Sequence, residues 1–145
     1  MYQNRFPNNA KGFQQWCKDV DIIFGREEQK NFDKDLLKMI RKVPCHGEFY
    51  RYTQWHNLAI ATLKTMKIPV HVLYYEDYND KWEQTLIGML DFLELENATP
   101  ETAQKFVPGK EYLDYYTSKQ RHAIQKLIAK VSTNETWQLL KHYMP

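Results

Sequence analysis

The chain has 145 residues, 43% of them hydrophobic and 14% aromatic, with a formal net charge of +2 from 20 basic and 18 acidic side chains. That composition suits a packed core and excludes a disordered chain. The charges are spread without a basic block, which argues against a nucleic-acid-binding domain, and no apolar run approaches the roughly 20 residues of a membrane span.

The first residues, "MYQNRFPNNAKGF", lack the basic-then-apolar layout of a signal peptide. Phe13, Trp16, Cys17 and Val20 then recur at helical spacing and predict an amphipathic helix over "KGFQQWCKDVDIIF". A second helix is predicted over "NFDKDLLKMIRK", with Phe32, Leu36, Leu37 and Ile40 on its apolar face, before Pro44 and Gly47 break the pattern. Phe49, Tyr52, His56, Ala59, Ile60 and Leu63 form the apolar stripe of a third.

After Pro69 the pattern changes. Val70 to Tyr75 is a short run without clean polar alternation, which predicts a strand covered on both faces, as in a parallel sheet. A helix through Trp82, Leu86, Met89, Leu90 and Leu93 follows, with Asn79 or Asp80 as its predicted cap. "NATPETAQKFVPGKEYLDYY" reads as connection. Thr117 and Gln120 stand at capping-box spacing before a helix that buries Ala123, Ile124, Leu127, Ile128 and Val131. Ser132 and Glu135 repeat the spacing before "TWQLLKHY".

The expected fold class is therefore α/β, mostly helical with one central parallel-type strand at about 69–75. A single strand is not a sheet, and a parallel partner needs a crossover that this chain does not contain. The expectation is a single partial domain over residues 1–145 whose other strands lie elsewhere.

Several residues could carry chemistry. Ligands of open α/β sheets bind beyond the carboxyl ends of the strands, where Tyr74, Tyr75, Glu76 and Asp77 would stand. From these residues alone, amphipathic core tyrosines followed by turn-forming acids are the plainer reading. Cys17, Cys45, His46 and His56 lack the close ligand pairs of a zinc site, and "EYLDYY" with "YYEDYND" lacks the oxygen-ligand spacing of a calcium loop. The two cysteines read either as the free thiols of an intracellular enzyme or as one disulfide.

"PVHVLYYEDYND" followed by "TLIGMLDFLEL" resembles the Y-E-D strand and following helix of sulfotransferases that use 3′-phosphoadenosine 5′-phosphosulfate (PAPS). "YRYTQWHNLAI" upstream resembles the Trp-containing helix before that strand. "FVPGKEYLDYYTSKQ" downstream resembles the Gly-rich loop before the last helices, and "ETWQLLKHY" the closing segment of carbohydrate-type members. The resemblance runs from Pro44 onward and rests on the order of the set.

The resemblance implies a P-loop-like fold of which this is the C-terminal portion, without the N-terminal phosphate-binding loop and inactive by itself. It implies transfer of a sulfuryl group from PAPS to a hydroxyl of a saccharide or similar acceptor. Tyr75 then contacts the adenine, and Lys105 and Lys110 lie near the 3′-phosphate, although the family's Arg-Lys-Gly is absent. Trp55 and His56 line the acceptor side, with His56 in a packing or hydrogen-bonding role and no catalytic residue assigned. "QWC" and "VPCH" resemble Golgi-lumenal members, which puts a Cys17–Cys45 disulfide level with free thiols; the Golgi lumen and the cytoplasm both stay open. The alternative is a mainly helical interaction module that keeps the scaffold without the chemistry.

Overall fold

The computed structural model describes residues 5–95 and 113–144. In chain order these form helices α1 (Ala10–Asn31), α2 (Lys34–Ile40), α3 (His46–Met66), α4 (Asp77–Asp80), α5 (Trp82–Phe92), α6 (Ser118–Val131) and α7 (Asn134–Leu140). Single 3-10 turns lie at Leu113–Tyr115 and Lys141–Tyr143. The chain divides into two units, Met1–Met66 with Tyr112–Pro145, and Lys67–Glu111.

In the first unit, Asn9 caps α1 by accepting the Gly12 N–H at 2.9 Å. The chain before the helix folds over Gly12 so closely that a Cβ there would meet the Pro7 carbonyl oxygen at 2.0 Å, which is why that position carries glycine. α1 runs seven residues past the predicted Phe24, to Asn31. Asp33 accepts from Leu36 N at 2.8 Å and starts α2.

The buried core joins α2 and the turn after it to the last helices: Ile40 and Val43 pack with Ile124, Leu127, Ile128 and Leu140. Phe49 of α3 and Tyr116 close over this cluster, and Phe13, Phe49 and Tyr116 pack ring against ring at centroid distances of 5.5 and 5.9 Å. The disulfide Cys17–Cys45 ties α1 to the start of α3 across a Cα–Cα distance of 4.5 Å, and both residues are buried. Among the described residues there is no free cysteine.

The junction of α6 and α7 is held from α3. Asn57 accepts the Thr133 N–H at 2.9 Å and donates to the Val131 carbonyl at 2.8 Å, which Gln54 also reaches at 3.0 Å. One side-chain amide thus satisfies an orphan group on each side of the turn. The predicted capping box Thr117–Gln120 is formed in both directions. The second predicted box is displaced by one residue: Thr133 caps α7, while the Ser132 hydroxyl donates back to Ile128 O at 2.7 Å.

In the second unit, described over 67–95, the expected strand is absent, and with it the α/β class. Among the described residues there is no strand and no sheet. Residues 68–74 have no regular secondary structure and lead into a turn at 75–76 before α4. Val70 and Val72 are 54% and 46% exposed. An unalternating apolar run marks a doubly covered strand only where neighbouring strands supply ladder partners, and none is present here. The segment packs through His71, whose ring stacks on Phe92 of α5 at 5.4 Å and lies over Gly88. Asn79 and Asp80, the expected caps of α5, fall inside α4, and α5 starts from Lys81 without a side-chain cap.

Candidate functional site

An open cleft of about 1050 Å³ lies in the first unit between α3, α6 and the C-terminal turn. Its construction follows from helical spacing. Glu48 and Tyr52 are one turn apart on α3 and line one wall, Arg121, Ile124 and Ile128 do the same on α6, and His142, Tyr143 and Met144 close the third side. Asp114 and Tyr116 complete the lining. The floor is the outer surface of the core, since Ile124, Ile128 and Leu140 belong to both.

The polar groups of the rim are positioned by their neighbours. Glu48 pairs with Arg51 one turn on. Arg121 donates to the Tyr116 carbonyl at 3.0 Å and to Ser118 Oγ at 3.2 Å, which fixes its guanidinium beside the cleft. Burial, with the charge of Asp21 adding to it, pushes the Tyr116 phenol up to about 12, so it remains a neutral hydroxyl.

The Tyr52 ring continues outside the cleft. His56 packs against it at a centroid distance of 4.3 Å and Trp55 against His56 at 4.9 Å, making an aromatic shelf along α3. Tyr52, one of the residues of the expected apolar stripe, is 47% exposed, and Trp55 is 65% exposed. The inner face of α3 instead carries Phe49 and the fully buried Thr53. Partial burial lowers the His56 pKa from its ordinary value, which favours the neutral ring.

A second constellation lies inside the first unit. His46 Nε2 sits 2.8 and 2.9 Å from the two carboxylate oxygens of Glu28. Its Nδ1 lies 3.2 Å from both the Val43 carbonyl and Asp21 Oδ1. Carbonyl and carboxylate oxygens only accept, so both ring nitrogens donate and the ring is an imidazolium. The proton on Nδ1 is directed at Val43, leaving Asp21 Oδ1 to act through charge, while Asp21 Oδ2 accepts the Cys45 N–H at 2.9 Å. Burial alone lowers the His46 pKa, but the two carboxylates outweigh it and raise the pKa to about 9. His46 is enclosed, and this arrangement anchors the start of α3.

No match is found among known family models, curated proteins or solved structures.

Of the residues singled out from sequence, Trp55 and His56 are together on the shelf, and Tyr75 is half exposed at the turn before α4 in the second unit. Lys105 and Lys110 lie outside the described residues. Cys17 and Cys45 are bonded, so their sulfurs are not metal ligands, and among the described residues no cluster of His, Cys, Asp or Glu could hold a metal ion. No helix among them is long and apolar enough to cross a membrane. Sequence reasoning missed Tyr52, Arg121 and Tyr143 as site residues. The signal for Tyr52 was its helical spacing from Trp55 and His56, which aligns the three rings on α3.

Proposed function

We propose that this chain supplies the adenine-contacting and acceptor-side residues of a PAPS-dependent sulfotransferase, acting on a hydroxyl of a saccharide or similar compound, and does not transfer sulfate by itself. The observation that carries the acceptor side is the Trp55–His56–Tyr52 shelf opening into a cleft with polar side chains at its rim. Aromatic rings with polar tips suit the apolar faces and hydroxyl edges of a sugar. Tyr75 is 50% exposed, and a phenol ring is of the kind on which a nucleobase stacks. On this reading Tyr75 serves the adenine end of PAPS. The phosphate end needs the backbone N–H groups of a loop between a strand and a helix, and this sequence has no such strand–loop–helix phosphate motif.

Transfer from PAPS depends on positioning and on stabilising charge at the sulfuryl group and the leaving phosphate. With those groups missing, assays with radiolabelled PAPS and sugar or phenol acceptors give no transfer by the isolated chain, while immobilised adenosine 3′,5′-bisphosphate retains it. Transfer above background overturns the inactive assignment, and failure of retention overturns the cofactor assignment.

A second reading, a helical interaction module, is favoured by Ile22 and Ile23, neighbouring apolar residues exposed on α1. Replacing both by Ser and finding a lost co-purifying partner, with adenosine bisphosphate retention absent, would favour it over the enzyme reading.

A further inference from the structure

We propose that Asn134 is an acceptor for N-linked glycosylation, modified before α7 folds, and that the chain matures in an oxidising, lumenal compartment. The site stands apart from the sulfotransferase reading, and it chooses between the two compartments that the sequence leaves open.

Asn134-Glu135-Thr136 forms an N-x-T sequon with a middle residue other than proline. In the fold these residues open α7, and Thr133 is its cap. Thr133 Oγ1 accepts the Thr136 N–H at 3.2 Å and donates to Thr136 Oγ1 at 3.0 Å. The cap, where Asn would serve the helix, is thus already filled. Asn134 stands one place further in, exposed, where Asn is a poorer helix former than Ala or Glu. Local structure gives no reason for Asn at this position. A glycan on this exposed residue extends into water without displacing a packed side chain.

The independent observation is the disulfide. Cys17 and Cys45 are bonded and buried, at 0% and 2% exposure, and no cysteine among the described residues is free. A buried disulfide belongs to chains that fold where thiols are oxidised, and the lumen of the secretory pathway is also where N-x-T sequons are modified. One compartment supplies both chemistries.

Timing follows from Thr136. Its hydroxyl is part of the acceptor motif, yet Thr136 is fully buried in the fold. A transferase that reads this hydroxyl meets it only on the unfolded chain. The donor is a lipid-linked oligosaccharyl diphosphate. The bond from Asn134 Nδ2 to the sugar C1 forms as the C1–O bond to the diphosphate breaks; the lipid diphosphate leaves with the bonding electrons, and the amide loses one proton to a base of the transferase.

Asn97-Ala98-Thr99, a second sequon, lies outside the described residues, so the test uses the full chain carrying Asn97→Gln. This chain is incubated with membranes that hold the transferase and its lipid-linked donor, once folded and once with both cysteines reduced and alkylated, its loss of structure checked by near-ultraviolet circular dichroism. The readout is the tryptic peptide 131–141, mapped before and after a peptide-N-glycosidase that leaves Asp in place of each glycosylated Asn. The opened chain gains a glycan at Asn134, and the folded chain gains none. Asn134→Gln abolishes the modification and, at an exposed position, leaves the unfolding temperature unchanged. Protein recovered from its source cells carries the same glycopeptide together with the Cys17–Cys45 bond. Unmodified Asn134 in the opened chain or in the recovered protein overturns the site, as does a modified peptide 131–141 in Asn134→Gln. Equal modification of folded and opened chains overturns the order of events.

Discussion

His46 is held between Glu28 and Asp21 with both ring nitrogens donating, so its charge is linked to folding. Its pKa is raised from 6.5 to about 9. A folded pKa above the unfolded one gives stability that is fully present below pH 6.5 and lost as pH rises through about 9. At about 1.4 kcal/mol per pH unit this is worth roughly 3 kcal/mol. Urea unfolding should therefore give a free energy that falls by about that much between about pH 6 and about pH 10, and His46→Gln should flatten the profile over the same window. A profile unchanged by the substitution would remove His46 from the account. Beside it, the Cys17–Cys45 bond closes a loop with a sequence separation of 28. Replacing both cysteines by Ser should cost about 3–4 kcal/mol, read by the same unfolding experiment, from the lost restriction of the unfolded chain.

At the scale of elements, α6 and α7 are set by side chains that end and start helices. Thr117→Ala removes one half of a formed capping box and should cost about 1 kcal/mol. Asn57→Leu should cost about 1 kcal/mol, because it removes the acceptor of the water-exposed Thr133 N–H and one of the two donors to the Val131 carbonyl, which keeps Gln54. Equal stability of wild type and Asn57→Leu in chemical denaturation would show that the junction does not depend on this clamp. These elements differ in how far the sequence exposes them. Thr117 and Gln120 are three residues apart, so their box is legible; Asn57 and Thr133 are separated by 76 positions, and only the fold brings them together. The strand expected at about 69–75 does not form for a related reason. Its composition reports what the segment can pair with, while a strand exists only where partners stand beside it.

Across the whole molecule, the helices were legible because apolar periodicity is local. The α/β class was not, because it depended on strands that no described residue forms. The same division runs through the site. Trp55 and His56 stood out in a motif, and their neighbourhood with Tyr52 follows from one helix. Arg121 and Tyr143 reach the cleft from elements distant in sequence, and the Asp21, Glu28 and His46 cluster needs α1 and α3 side by side. The proposed function draws separately on the aromatic shelf of the first unit and on Tyr75 of the second, and Tyr75 is the residue from which the proposal argues for PAPS. The most direct measurement is a titration of adenosine 3′,5′-bisphosphate into the chain and into Tyr75→Ala, followed by the Tyr75 ring resonances and calorimetry. Saturable binding that perturbs Tyr75 and weakens about tenfold in the variant, as the loss of one base–aromatic stack predicts, is the expected result. Absence of binding, or binding of equal strength in the variant, contradicts the account.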